Sequence, residues 1–151
     1  MYDFFVTHAF ELIIIGQMCL ALILGSLIGI QREARGRSAG ARTYALVSGG
    51  SCLFTLLSIY AFGNNGDISR VASQIVTGIG FLGAGTILHK SDRVEGLTTA
   101  AGLWMVAAIG MSVGVGYYII AIAVTILTLL VLIIDDKKFI KNDSSNLDRK
   151  I

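Results

Sequence analysis

Proline is missing from all 151 residues of this chain, and charge is scarce. Without proline, no position carries the strongest local veto on a continuing helix. Charged residues make up 15% of the chain and apolar residues 54%, where a soluble domain has about 25% charged. That balance excludes a soluble domain and points to membrane helices, which need roughly 18 or more consecutive apolar residues. The two cysteines, Cys19 and Cys52, both fall within such runs and read as small packing residues, not as a disulfide. Ahead of the first apolar run there is no basic segment and no small-residue cleavage site, so a retained first span is expected instead of a signal peptide. No nucleophile, base and orienting group converge. The expectation is a protein that is not an enzyme and carries no cofactor.

What is present is a series of five apolar segments, at about 9–30, 43–62, 69–88, 98–113 and 118–134, followed by a polar tail at 135–151. The expected fold class is therefore an all-α integral membrane protein, a bundle of about five transmembrane helices. In the first span Ala21, Gly25 and Gly29 recur at intervals of four, a small-residue seam for a neighbouring helix. Glu11 lies near its outer end; Gln17 sits deeper, on another side. The second span carries Ser48, Ser51 and Ser58. In the fourth, Thr98, Gly102, Gly110 and Gly114 share a side, and Thr98 or Thr99 is a candidate N-cap. The fifth is nearly all Ile, Leu, Val and Ala, which suits a peripheral, lipid-facing helix.

The third segment, Arg70 to Leu88, is rich in small residues. Stepping by about 100° per residue gathers Gln74, Thr77, Gly78, Phe81, Ala84 and Gly85 on the side of Arg70. Ile75, Val76, Ile79 and Leu82 fall opposite. Helices associate in lipid by close packing over small residues, so the small face predicts that this span is the centre of the bundle. Asp67 or Ser69 is its expected N-cap. Gly78, Gly80 and Gly83 match a dinucleotide fingerprint, but that motif requires a preceding strand and a downstream acid, and here it lies mid-span.

Charge placement sets the orientation. The first loop holds four Lys/Arg, the third two and the tail five, eleven in all, whereas the N-terminus, second loop and fourth loop hold only Arg70. By the positive-inside rule the N-terminus, with Asp3, and Asn65 should lie outside. Ser38, Ser91 and Ser144 should lie in the cytoplasm. Four arginines beside a bilayer are accounted for by anionic headgroups, so a nucleic-acid partner is not expected.

Three segments then carry a family resemblance: GSLIGIQREARGRSAGARTYALVS, DISRVASQIVTGIGFLGAGTIL and VEGLTTAAGLWMVAAIGMSVGVG. Together they run from about Gly25 to Gly116, and the chain resembles the MgtC/SapB family of bacterial membrane proteins. It departs from the family pattern at Gln31, where many relatives have Glu, at Gln17, where Arg is common, and at Ile68, where Pro is frequent. Only seventeen residues follow Ile134, so a short form without the soluble C-terminal domain of longer members is expected. The resemblance implies a multi-pass protein of the bacterial cytoplasmic membrane with a regulatory or adaptive role, tied in longer relatives to magnesium limitation, survival in hosts and restraint of the ATP synthase. It also implies that Arg32, Glu33, Gly40, Arg42 and Thr43 form an ordered cytoplasmic cluster.

The remaining candidates are Asp67, Arg70, Gln74, Gly78, Gly85, Thr98 and Thr99. Gln74 is expected to make an interhelical hydrogen bond while Arg70 reaches to the outer surface; a solute vestibule is the alternative. Glu33 and Arg42 are expected to pair across the turn at Gly36 and Gly40. Magnesium favours carboxylates with retained waters, and none lies at mid-depth: Glu11 and Glu33 sit towards opposite ends. His8 and His89 are isolated, so no metal site is expected. The partners expected are the lipid bilayer and either a second copy or another membrane protein. A transporter or channel for an ion or small solute is the alternative function.

Overall fold

The structure is a computed structural model that describes residues 2–61, 67–91 and 93–134, with side chains from residue 8 onward. The tail 135–151, Asn65 and most of the GNNGD turn lie outside the described residues, as does the side chain of Asp3. Five helices run in sequence: α1 (Tyr2–Ala34), α2 (Ala41–Tyr60), α3 (Ser69–Gly85), α4 (Leu97–Gly114) and α5 (Tyr118–Ile133). The architecture is the expected all-α membrane bundle. Helices α1, α2 and α4 are long and apolar enough to cross a membrane, and α5 is a shorter apolar helix.

The centre of the bundle is α1, α2 and α4. Backbones approach closely there because glycines allow it. On α1, a Cβ added at Gly25 would lie 2.6 Å from the Tyr44 carbonyl oxygen, and one at Gly29 2.6 Å from the Ala41 Cα. On α4, Gly102 faces the Tyr44 ring, Gly110 the Ser48 carbonyl and Gly114 the Thr55 side chain. Leu24, Ile28, Leu56, Leu103, Val106, Ile109 and Val113 fill the space between these seams. The third span is not the centre, contrary to the sequence expectation. α3 buries only Ile79 and Gly83. It turns the aliphatic side to α2 and α4, while Gly78, Gly80 and Gly85 have nothing within 4 Å of an added Cβ. The two faces of α3 are those expected, but the aliphatic one faces inward, and the close crossings are taken by glycines of α1 and α4.

Helix ends show why the chain turns where it does. α1 continues past Ile30 to Ala34, so Gln31, Arg32 and Glu33 belong to its last turn and not to a loop. It stops at Gly36, whose φ of 67° reverses the backbone. The Gly36 amide then donates to the Glu33 carbonyl at 2.9 Å and the Arg37 amide to the Arg32 carbonyl at 3.1 Å, closing a Schellman motif. Helix α4 ends the same way at Gly116, with the Tyr117 amide on the Ser112 carbonyl at 2.8 Å. The charged segment between α3 and α4 is a small antiparallel hairpin, β1 (Leu88–His89) against β2 (Val94–Glu95), in register Leu88 to Glu95. Helix α4 starts at Leu97, one residue after its N-cap Gly96, so Thr98 and Thr99 are its second and third residues and neither caps it.

Candidate functional site

The ends of α1, α2, α4 and α5 meet on the side of the arginine-rich turn. Arg32 is only 3% exposed. Its Nη2 donates to Thr99 Oγ1 at 3.1 Å, which ties the end of α1 to the start of α4. The Tyr44 hydroxyl, fully buried on the first turns of α2, donates to the Thr99 carbonyl at 3.2 Å. Gln31, in the last turn of α1, and Arg35, in the turn just after it, reach the end of α5: Gln31 Nε2 donates to the Leu132 carbonyl at 2.9 Å and Arg35 Nη2 to that of Ile133 at 3.0 Å. The Arg35 cation and the Gln31 amide thus meet the carbonyls that end α5, where positive charge is favoured. Each helix end thereby satisfies another.

Glu33 and Arg42 do not form the expected pair. Glu33 instead accepts the Ala41 amide at 3.1 Å. That amide opens α2, and a carboxylate there meets free N–H groups and the positive end of the helix dipole. Gly40 is shaped to this contact, since an added Cβ would lie 2.7 Å from the Glu33 carboxylate oxygen. Arg42 is exposed and, with Thr43, lines a groove of about 470 Å³ between α2 and α3. The five residues assigned to a cytoplasmic cluster thus divide. Arg32 belongs to the buried contact with Thr99, Glu33 and Gly40 form the cap of α2, and Arg42 and Thr43 face outward.

At the opposite end, Gln17 is buried and its Nε2 donates to the Val113 carbonyl at 3.0 Å. Asp67 Oδ1 accepts the Ser69 amide at 2.9 Å and the Ser69 hydroxyl at 2.6 Å just ahead of α3, but the N-cap is Ile68, without a side-chain cap bond, and neither Asp67 nor Ser69 occupies that position as the sequence led one to expect. Those two hydrogen bonds hold the Asp67 carboxyl below its ordinary pKa. In the hairpin, Glu95 is likewise held low, first by its bond to the Lys90 ammonium, with Lys90 and Arg93 each 2.8 Å away. Thr98 is exposed while Thr99 is buried.

Arg70, Gln74, Thr77, Gly78 and Gly85 are exposed along α3, and among the described residues Gln74 makes no interhelical hydrogen bond of the kind expected. Beside α3 opens a groove of about 610 Å³, walled by α2, α3 and α4 and containing Thr55, Ser58, Trp104 and Ser112. Thr55 and Ser112 spend their hydroxyls on helix carbonyls one turn back. Among the described residues, no three of His, Cys, Asp and Glu gather where a metal could sit.

Sequence reasoning missed Tyr44, Gln31 and Arg35. The signal for Gln31 and Arg35 was their i, i+4 spacing, which places both on one face at the helix end. Tyr44 lies in the first turn of a span, where an aromatic ring reads equally as an interface anchor.

The MgtC family model matches residues 18–139. The chain is 46% identical over 123 residues to Putative magnesium transporter YhiD of Escherichia coli (strain K12), covering 77% of this chain and 57% of that protein. It is 40% identical over 129 residues to Protein SrpB of Synechococcus elongatus, covering 77% and 71%. With Protein MgtC of Salmonella typhimurium (strain LT2) the identity is 48% over 109 residues, covering 72% and 46%. The chain spans about half the length of most of these curated relatives. No solved structure matches it.

Proposed function

The chain belongs to the MgtC family, and on that premise we propose that it is a multi-pass, non-enzymatic protein of the bacterial cytoplasmic membrane that regulates by helix contacts within the bilayer. One observation carries this reading: α3 holds its small, polar face away from its own bundle. A polar residue facing lipid is costly, and a strip of glycines permits close approach by another helix. Gln74, Thr77, Gly78 and Gly85 form such a strip. The occupant is a second copy or another membrane protein, with the ATP synthase as the candidate drawn from the family resemblance. In the proposed orientation the N-terminus is outside, and the end carrying Arg32, Arg35, Arg37 and the hairpin faces the cytoplasm. The role is adaptive, in magnesium limitation or related stress.

Disulfide trapping tests the contact. With Gln74→Cys introduced on a background of Cys19→Ala and Cys52→Ala, oxidation in membranes should capture α3 against its occupant, and Gly78→Leu should abolish capture. Loss of capture with intact folding supports the reading; capture unchanged by Gly78→Leu removes it.

A second reading is transport of an ion or small solute. The groove containing Thr55, Ser58 and Ser112 favours it, and one relative is named a putative magnesium transporter. Its walls offer hydroxyls, not the carboxylates magnesium prefers. Liposomes holding the pure protein, assayed with a panel of ions that includes magnesium, separate the two readings.

A further inference from the structure

The contact between α1 and α4 is electrostatically incomplete. Arg32 is 3% exposed, yet none of the ion pairs among the described residues involves it. Its side-chain partners, Thr99 through Nη2 and the phenol of Tyr44, are neutral hydroxyls and bring no opposite charge. Its Nε is buried without an acceptor. A buried charge without an opposite charge is among the least favourable arrangements in a folded protein. The guanidinium is moreover placed at a helix N-terminus, the positive end of α4, where an anion is favoured and a cation is not.

That N-terminus itself has no side-chain cap. The N-cap is Gly96, with no side-chain capping hydrogen bond and no acid in the first turn. The first amides of a helix have no partner inside the helix. Thr98 and Leu97 are exposed on this turn, so it opens to the surroundings on one side while Arg32 closes it on the other. Arg35 and Arg37 stand on the following turn of the same chain and add no negative charge.

We propose that the first turn of α4 and the Arg32 guanidinium together bind a phosphate oxyanion at the membrane interface. The amides of Leu97 and Thr98 and the Thr98 hydroxyl supply donors from α4, as helix N-termini do for phosphates. The guanidinium supplies the charge and a planar set of donors, of which Nε has no acceptor among the described residues. The bound oxyanion neutralises a cation that the fold otherwise strands. Its source is either the headgroup of an anionic phospholipid, which the depth of α4's first turn would suit, or a free phosphate.

The test uses the purified full chain in a neutral detergent and a phosphate-free buffer, following thermal unfolding through Trp104. One arm titrates inorganic phosphate against sodium chloride at equal ionic strength. The other titrates phosphatidylglycerol against phosphatidylcholine in mixed micelles. The melting temperature should rise saturably with phosphate, with phosphatidylglycerol or with both. A response to phosphate alone or to both identifies the oxyanion itself, and a response to phosphatidylglycerol alone identifies the headgroup as its source. Arg32→Gln should weaken half-saturation by about tenfold or more, as loss of a charged hydrogen bond does. Arg37→Gln, which changes the loop charge equally, should shift it by less than about threefold. Arg32→Gln should also melt no lower than the wild type in the absence of any anion, which a purely structural arginine would not allow. Should Arg32→Gln fail to fold, Arg32→Lys decides, because it keeps the charge and loses the planar fork; its half-saturation must weaken. No saturable response in either arm, or equal responses in the wild type and the Arg32 variants, overturns the site.

Discussion

Gly110 of α4 rests directly on the backbone carbonyl of Ser48 in α2, with no room for even a methyl group between them. The obstacle is backbone and cannot rotate away. Gly110→Ala must therefore push the two central helices apart. Overpacking of this kind costs about 1–3 kcal/mol. Gly78→Ala, on the open face of α3, should leave stability in detergent unchanged. Thermal unfolding of the two variants side by side measures the difference, and equal stability would remove α2 and α4 from the centre of the bundle.

Gln17 gives an unusual expectation for a buried polar side chain. Its Nε2 bonds the Val113 carbonyl, but its Oε1 is buried without a partner. The Val113 carbonyl also accepts the Gly116 amide at 3.0 Å, so it keeps a donor if the glutamine is lost. Gln17→Leu, of similar volume, removes the orphaned oxygen and strands nothing. It should be neutral or stabilising, whereas Gln17→Ala, which leaves a hole, should cost about 1–3 kcal/mol. A melting temperature well below wild type for Gln17→Leu would show that the Oε1 has a partner in the membrane.

Much of this molecule was legible in its sequence, and what was not has a common physical cause. Five helical segments, the seams at Gly25 and Gly29 on α1 and at Gly102 and Gly110 on α4, and the shared end of the basic loops follow from spacing and composition. Which seam meets which does not. Gly78 and Gly85 have the same local signature as Gly25 and Gly29, yet the first pair faces out and the second pair touches a backbone. Periodicity defines a face without saying what lies against it. Similarly, Glu33 had four arginines within reach on paper, and none of them competes with a helix N-terminus eight residues away. Charge counting sees side chains and overlooks the backbone amides.

Acidification should loosen the hairpin before the bundle. Glu95 is held below its ordinary pKa by Lys90 and then Arg93, so the folded hairpin binds fewer protons than the unfolded one. Its stabilisation is fully present above the unfolded carboxylate value of about 4.3 and is lost as pH falls through the lowered folded value. Amide exchange at Lys90, which donates to the Arg93 carbonyl at 2.9 Å, should lose protection in that acidic window after correction for intrinsic rates. Glu95→Gln should abolish the pH dependence. Protection that is flat with pH in the wild type would mean the two ion pairs are too exposed to matter.

Orientation can be read from thiol accessibility. Ser38 lies in the turn after α1 and Ser91 in the hairpin, at the end where α1 meets α4 and α5. Ala61 follows α2 at the other end. On a background lacking Cys19 and Cys52, an impermeant thiol reagent should label Ala61→Cys in intact cells, and should label Ser38→Cys and Ser91→Cys only after lysis. Labelling of Ser38→Cys in intact cells would reverse the proposed orientation.

The cap on α2 yields the sharpest contrast between a salt bridge and a backbone contact. Glu33 is exposed, and its carboxylate takes the Ala41 amide; Arg42, one residue further on, is exposed and pairs with no acid among the described residues. Removing the carboxylate charge by Glu33→Gln weakens the cap. Losses at helix N-caps run from about 0.5 to 2 kcal/mol. Arg42→Gln removes a solvated charge near the positive end of α2, so it should cost nothing and could stabilise slightly. The two effects act on different groups, and the double variant should equal their sum within about 0.5 kcal/mol. A paired Glu33 and Arg42 would behave otherwise, since either single change would then abolish the whole interaction and the second would add little. Thermal unfolding of the four proteins closes the cycle. Coupling above about 1 kcal/mol would return Glu33 to Arg42 and leave the Ala41 amide without its carboxylate.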